Sequence, residues 1–185
     1  MDMLELQLPA LEHKAAANDF KDEFLKNGET VINGSALFDQ MEYGQWLEIN
    51  TKNRQSSTAD SNWVPATTFF AVRKHDQKIV GMIDIRHNLN NEFLAQYGGH
   101  IGFSVRPCER KKGYGTEILR MGLLYAKSLG IKKVMLGCFS DNLPSARTIE
   151  KCGGILTETK KYLDNQVYHI DDMMEKFINI YWIDL

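Results

Sequence analysis

The segment Gly99-His100-Ile101-Gly102-Phe103-Ser104-Val105-Arg106-Pro107-Cys108-Glu109-Arg110-Lys111-Lys112-Gly113-Tyr114-Gly115-Thr116 sets the order strand, loop, helix. Apolar and small residues alternate from Ile101 to Val105, the pattern of a strand with one buried face. Pro107 has no N–H to give to a ladder, so the strand ends before it. Beyond Gly115, the apolar residues Ile118, Met121, Tyr125 and Leu129 recur at helical spacing, with Glu117, Arg120 and Lys127 between them. Gly113 and Gly115 therefore stand where a helix begins and its first backbone N–H groups have no intrahelical partner. Glycine permits a tight turn and a close approach, and the positive end of the helix dipole favours phosphate. Arg106, Arg110, Lys111 and Lys112 against the single acid Glu109 add a local charge of +3. The same residues also fit a solvated basic turn with a glycine cap. The spacing is neither a P-loop nor the dinucleotide fingerprint.

On either side of this segment the chain alternates between the two periods. Leu4 to Leu8 reads as a first strand closed by Pro9. Pro9 to Lys26 is rich in Ala, Lys, Glu and Phe and predicts a helix that ends near Asn27-Gly28. A second helix is expected over Ser35 to Thr51, and Arg54 to Asn62 reads as a polar loop. Thr67 to Arg73 and Lys78 to Arg86 are β-branched apolar runs joined by a polar turn, an antiparallel hairpin. After a short link over Asn88 to Tyr97 comes the central strand. Lys132 to Phe139 is a fifth strand, Asn142 to Lys151 a short helix stopped by Gly153-Gly154, and Ile155 to Tyr162 and Phe177 to Ile183 are the last two strands. The result is a mixed α+β fold in one domain over residues 1–185.

With 185 residues, 43% of them hydrophobic and 25% charged, the composition is that of a globular protein. A net charge of −2 argues against a general nucleic-acid binder, because the basic patch is only local. Cys108, Cys138 and Cys152 form no CxxC pair, so no zinc site, metal or disulfide framework is expected, and reduced thiols point to a cytoplasmic protein. No signal peptide or membrane span is expected either.

Arg110-x-x-Gly113-x-Gly115, following a strand that ends Val105-Arg106-Pro107, resembles the acetyl-CoA-binding motif of the GCN5-related N-acetyltransferases. Asp141-Asn142-Leu143-Pro144-Ser145, with a short helix running to Gly153-Gly154, is similar to that family's second motif. Gly98 to Pro107, Glu109 to Thr116 and the terminal Tyr181-Trp182-Ile183 look closest to a bacterial branch of it. The resemblance covers roughly residues 64–185. It implies a mostly antiparallel sheet of six to seven strands flanked by helices, splayed between the fourth and fifth. It also implies acetyl-CoA as co-substrate, its pyrophosphate on the backbone of Lys111, Lys112, Gly113, Tyr114, Gly115 and Thr116 beside Arg110. The pantetheine arm would run along Phe103, Val105 and Arg106, with Asn142 and Ser145 opposite. Asn142 read without the family is a helix N-cap. The partner implied is a small-molecule or peptide amine. The family often forms dimers, and the strand from Ile178 to Ile183 is a candidate for edge pairing.

Acetyl transfer to an alkylamine, whose pKa is around 10.4, needs a proton acceptor and a donor for the developing oxyanion. The resemblance assigns the second to the Val105 N–H. His100 stands where many relatives carry a glutamate and is the candidate base, with Glu92 and His87 behind it; a strand-end histidine held by the backbone is the plain alternative. Relatives often place an acid, a tyrosine, seven residues after the asparagine, where this chain has Ile149. Tyr181 and Tyr168 are the substitutes considered, although buried tyrosines with satisfied hydroxyls are commoner. The missing tyrosine also leaves open an acyl-CoA sensor without turnover. Trp46 and Trp63 fall in the region that walls the acceptor site in the family, and Asp171, Asp172 and Glu175 form an acidic run.

Overall fold

The structure is a computed structural model that describes residues 2–60, 63–162 and 175–185. Its elements in chain order are β1 (Leu4–Gln7), α1 (Lys14–Lys26), α2 (Tyr43–Asn53), β2 (Ala66–Arg73), β3 (Lys78–Arg86), β4 (Ile101–Val105), α3 (Tyr114–Ser128), β5 (Lys133–Phe139), α4 (Leu143–Lys151), β6 (Ile155–Lys161) and β7 (Phe177–Asp184). The strands form two sheets, β1-β2-β3-β4 and β5-β7-β6, and every ladder is antiparallel. The expected fold class and the parting of the fourth and fifth strands are both present. Tyr168, Asp171 and Asp172 lie outside the described residues, and Glu175 hydrogen-bonds to Lys161.

Strand alternation, shifted once where the pairing with β2 skips Val80, sends β3 side chains to two cores. Val80, Ile83 and Ile85 pack with Ile118, Leu119, Leu123 and Ala126 of α3 and with Ile149 and Tyr181. Ile79 and Met82 face the other way, into a cluster of Phe20, Phe24, Phe38, Tyr43, Trp46 and Phe70 under α1 and α2. Asp84 and Arg86 share the parity of Met82 and so belong to the α1/α2 face. The buried stripe of α3 is Ile118, Leu119, Gly122, Leu123 and Ala126, while Leu129 of the expected stripe is exposed.

The second helix is shorter than its sequence suggested. It begins at Tyr43, because Ala36 and Leu37 adopt positive φ (49° and 66°) in a turn that leads to a single 3-10 turn over Phe38–Gln40. Tertiary contacts hold this turn. The Trp46 indole donates to the carbonyls of Ser35 (2.8 Å) and Ala36 (3.1 Å), and a Cβ on Gly34 would lie 2.3 Å from the Gly102 carbonyl oxygen. Trp46 is thus a core residue that fastens a loop.

Among the described residues the two sheets are bridged at Gly99 with Leu136, beside which the His100 N–H donates to the Met135 carbonyl at 2.8 Å. Gly99 has φ 66°, and a Cβ there would stand 2.3 Å from the Met135 oxygen. Gly99→Ala meets both strain and a backbone clash, so it is expected to lower stability by about 3 kcal/mol or more, read as a fall in Tm.

Candidate active site

At β4, hydrogen-bond parity decides which backbone groups are free. The Arg86 N–H donates to the His100 carbonyl and the Arg106 N–H to the Val80 carbonyl, both at 2.8 Å. Bonded and non-bonded pairs alternate along an antiparallel ladder, so Phe103 and Val105 turn their polar groups away from β3, toward the gap left by β5. Arg110 Nε donates to the Val105 carbonyl at 3.1 Å, which leaves the Val105 N–H facing a cleft of about 920 Å³. Phe103, Ser104, Val105, Gly137, Cys138 and Asn142 are among its walls. The buried Ser104 hydroxyl has no partner among the described residues.

The cleft runs to the start of α3. Gly113 caps that helix at φ 87°, and the N–H groups of Tyr114, Gly115 and Thr116 have no acceptor inside it. Lys111, also at positive φ (62°), Gly113, Gly115 and Thr116 line this end. Open N–H groups at a helix start suit a phosphate. A thioester carrier with a pyrophosphate and amides along its arm fits these donors.

The charge of the loop is mostly spent on the protein itself. Arg106 is buried, pairs with Asp19 and, through Nε at 2.8 Å, with Glu23, and sits over the Phe20 ring; its side chain is not on the cleft wall. Arg110 grips both oxygens of Glu29 (2.7 and 2.8 Å). Lys112 donates to Glu109 at 2.8 Å and is also off the wall. Glu109, whose side chain is 4% exposed, further receives Arg73 (3.0 Å) and Lys78 (3.1 Å). Burial would raise its pKa, but the hydrogen bonds from Lys112 and Lys78 and the charge of Arg73 bring it down to about 2. The Tyr114 hydroxyl donates to Asp2 at 2.7 Å, so the residue meets the cleft beside a phenol turned elsewhere. The wall cations in no ion pair with a described residue are Lys111 and, from α4, Arg147 and Lys151. Arg147 and Lys151 were not foreseen. Their spacing from Pro144 along the short helix was the available signal.

Asn142 caps α4, its Oδ1 accepting from the Ser145 N–H at 3.1 Å, and both residues line the cleft. The plain cap and the ligand position are the same place. Ile149 reaches the wall as a buried apolar residue.

The two catalytic candidates lie elsewhere. His100 is buried off the cleft wall, and its Nδ1 accepts the Met135 N–H at 3.0 Å. That bond leaves the proton on Nε2, and burial together with the Arg86 charge lowers the ring pKa despite the Met135 contact. The ring is a brace between β4 and β5. Tyr181 is buried in the α3/α4 core, with its hydroxyl 3.4 Å from Glu150 and its pKa raised by burial, then by the charges of Cys138 and Glu150. Of the weaker candidates, His87 bonds to Thr67 at 2.9 Å and Glu92 to Gln96 at 3.0 Å. The cleft wall instead carries Tyr97 and Tyr162, stacked edge-on at 5.3 Å. Among the described residues no group of three or more His, Cys, Asp or Glu could hold a metal ion, and no helix is long and apolar enough to cross a membrane.

The profile of the family described as acetyltransferase (GNAT) matches residues 36–154. An uncharacterized N-acetyltransferase of Bacillus subtilis, YjdG, is 28% identical over 143 residues, 77% of this chain and 76% of its own. The fold is similar to that of the microcin C7 self-immunity acetyltransferase MccE, solved with acetyl-CoA and AMP (TM-score 0.72, 19% identity, 100% and 94% of the two chains). It is also similar to YncA of Salmonella typhimurium, solved with its cofactor acetyl-CoA (TM-score 0.67, 13% identity, 98% and 94%).

Two buried groups give pH signatures. The folded pKa of Glu109 lies below its unfolded value, so its contribution is present above about pH 4.5 and is lost as the pH falls toward about 2. Glu109→Gln removes the carboxylate that Lys78, Lys112 and Arg73 share, although Arg73 keeps its pair with Asp76. It is expected to cost about 1–3 kcal/mol at pH 7, with the difference shrinking in acid, as read by denaturant titration. His100 is also depressed, so its contribution is full above about pH 6.5 and weakens below that. His100→Asn can still accept from Met135, whereas His100→Ala leaves that N–H unmatched and is expected to cost about 1–3 kcal/mol.

Proposed function

Since the chain belongs to the acetyltransferase (GNAT) family, we propose that it moves the acetyl group of acetyl-CoA to a primary amine of a small molecule or peptide, by direct attack with both substrates bound. The carrying observation is the cleft between β4 and β5, where the Val105 N–H faces inward and the open start of α3 lies at one end. The acetyl-CoA present in MccE and YncA supports the identity of the donor.

In this reading, the N–H groups at the start of α3 hold the pyrophosphate, with Lys111, Arg147 and Lys151 supplying the charge that Arg106, Arg110 and Lys112 spend on protein carboxylates. The polar edge of Phe103 and Val105 pairs with the amide-bearing arm as a further strand would. The Val105 N–H donates to the oxygen that becomes negative during attack. Arg110 contributes by occupying the Val105 carbonyl, which removes a competing acceptor from the same spot.

Proton removal falls to the acceptor and to water. The cleft-wall carboxylates, Glu29 and Glu109, are both held in ion pairs. An α-amino group, with a pKa of about 7.7–8.0, is already partly neutral near pH 7.5, unlike a lysine-type amine. The departing thiol resembles cysteine, with a pKa around 8.5, and can leave as the thiolate without a dedicated acid.

Isothermal titration is expected to show acetyl-CoA binding, and release of free thiol is expected when an amine is added. Binding without release across an amine panel would make the chain an acyl-CoA sensor instead. Lys111→Ala and Arg147→Ala should each weaken acetyl-CoA binding by about 3- to 10-fold, with a smaller loss in high salt. His100→Asn should keep turnover within about threefold of the parent; a loss of a hundredfold at unchanged acetyl-CoA affinity would return His100 to the mechanism.

A further inference from the structure

On the α1/α2 face, a second cavity of about 420 Å³ adjoins the cleft and shares Val31, Asn33, Gly34, Arg86 and Phe93 with it. Its walls are largely apolar, with Ile32, Trp63, Val64 and Leu94 among them. Among its polar wall residues Ser35, Asp84 and Asn53 are buried and Arg86 is partly so, and the Ser35 hydroxyl is used on Asp39 at 2.6 Å. Asp84, 3% exposed, accepts from Thr68 at 2.8 Å and pairs with Arg86 Nε at 3.0 Å, so its charge is matched within the protein. Arg86 gives its Nη1 to the carbonyls of Gly98 and Gly99 at 3.4 Å, and its Nη2 has no acceptor among the described residues. Asn53, 6% exposed, donates through Nδ2 to the Val64 carbonyl at 3.1 Å. That bond fixes the orientation of the amide, because a flipped group would set oxygen against oxygen. Asn53 Oδ1 then has no donor among the described residues.

A buried acceptor without a donor is costly in a folded protein and asks for a ligand N–H. We propose that this cavity holds the body of the acceptor, and that Asn53 Oδ1 and Arg86 read a carboxamide or peptide group on it, the first taking its N–H and the second donating to its C=O. The acceptor class is therefore an α-amine on an apolar body followed by an amide, as in an amino-acid amide or a peptide amino terminus. A polyamine would instead call on Asp39, a wall carboxylate that accepts from the Ser35 hydroxyl at 2.6 Å and has no ion pair among the described residues. Asn53, by contrast, offers a neutral acceptor and Asp84 is paired with Arg86; the test below sets the two classes against each other. This inference rests on the acetyl-transfer reading above.

The test compares amino-acid amides with the matching methyl esters, using glycine, leucine and phenylalanine, because each ester keeps the α-amine and side chain but lacks the amide N–H. The amides are expected to show kcat/KM at least tenfold above their esters, and putrescine to be poorer than either. In Asn53→Leu the amide preference should fall toward one, while acetyl-CoA binding by calorimetry stays unchanged. Equal use of amide and ester by the parent protein, or a preference for putrescine, overturns the proposal whether or not the variant folds. A preference that survives Asn53→Leu also overturns it. Calorimetric binding of amide and ester to the CoA-loaded protein reads the same preference without turnover. Failure of acetyl transfer with the amide preference intact would therefore count against the reaction and not against the pocket.

Discussion

Everything in this molecule that bears on function depends on two neighbouring strands failing to pair. Beyond the Gly99 to Leu136 bridge, β4 and β5 part, and the backbone groups of Phe103 and Val105 are left without a strand to meet. Unpaired N–H and C=O groups inside a protein are expensive, and a sheet interior normally removes them. Here the fold maintains the opening by other means. His100 and Met135 exchange hydrogen bonds at its closed end, and Arg110 ties the β4 end to Glu29.

The loop before α3 illustrates how net charge and available charge differ. Four cations in seven residues suggested a free local charge of +3 around a phosphate held by the loop backbone. Three of them turn out to anchor the loop to Asp19, Glu23, Glu29 and Glu109. What remains for an anion is mostly backbone, held in place by those ion pairs. The anchored side chains set the geometry of the N–H groups, and a neighbouring helix contributes further cations.

Much of the fold could be read from local pattern. The β2/β3 hairpin, β4, the start of α3 and the cap of α4 each follow from a period or a turn residue within a dozen positions. Where sequence reasoning went astray, the deciding partner was distant. The expected helix over Ser35 to Thr51 loses its first half to a turn pinned by Trp46 and by the close approach of Gly34 to Gly102. Arg106 and Arg110 find their carboxylates more than eighty residues earlier in the chain. His100 was placed by analogy of position, and what sets its tautomer is a backbone N–H 35 residues on. The Asn53, Asp84 and Arg86 group was not legible at all, since it is assembled from a helix and a strand whose shared face emerges only in three dimensions.

The contact between Gly34 and Gly102 has a further meaning for traffic through the protein. It brings the segment after α1 onto the middle of β4, so that Val31, Asn33 and Gly34 line both the cleft and the second cavity. On the proposed reading, the donor cleft and the acceptor cavity share this wall, and the two substrates meet at the slit between β4 and β5. A substitution that shifts this one segment would therefore be felt by both substrates at once.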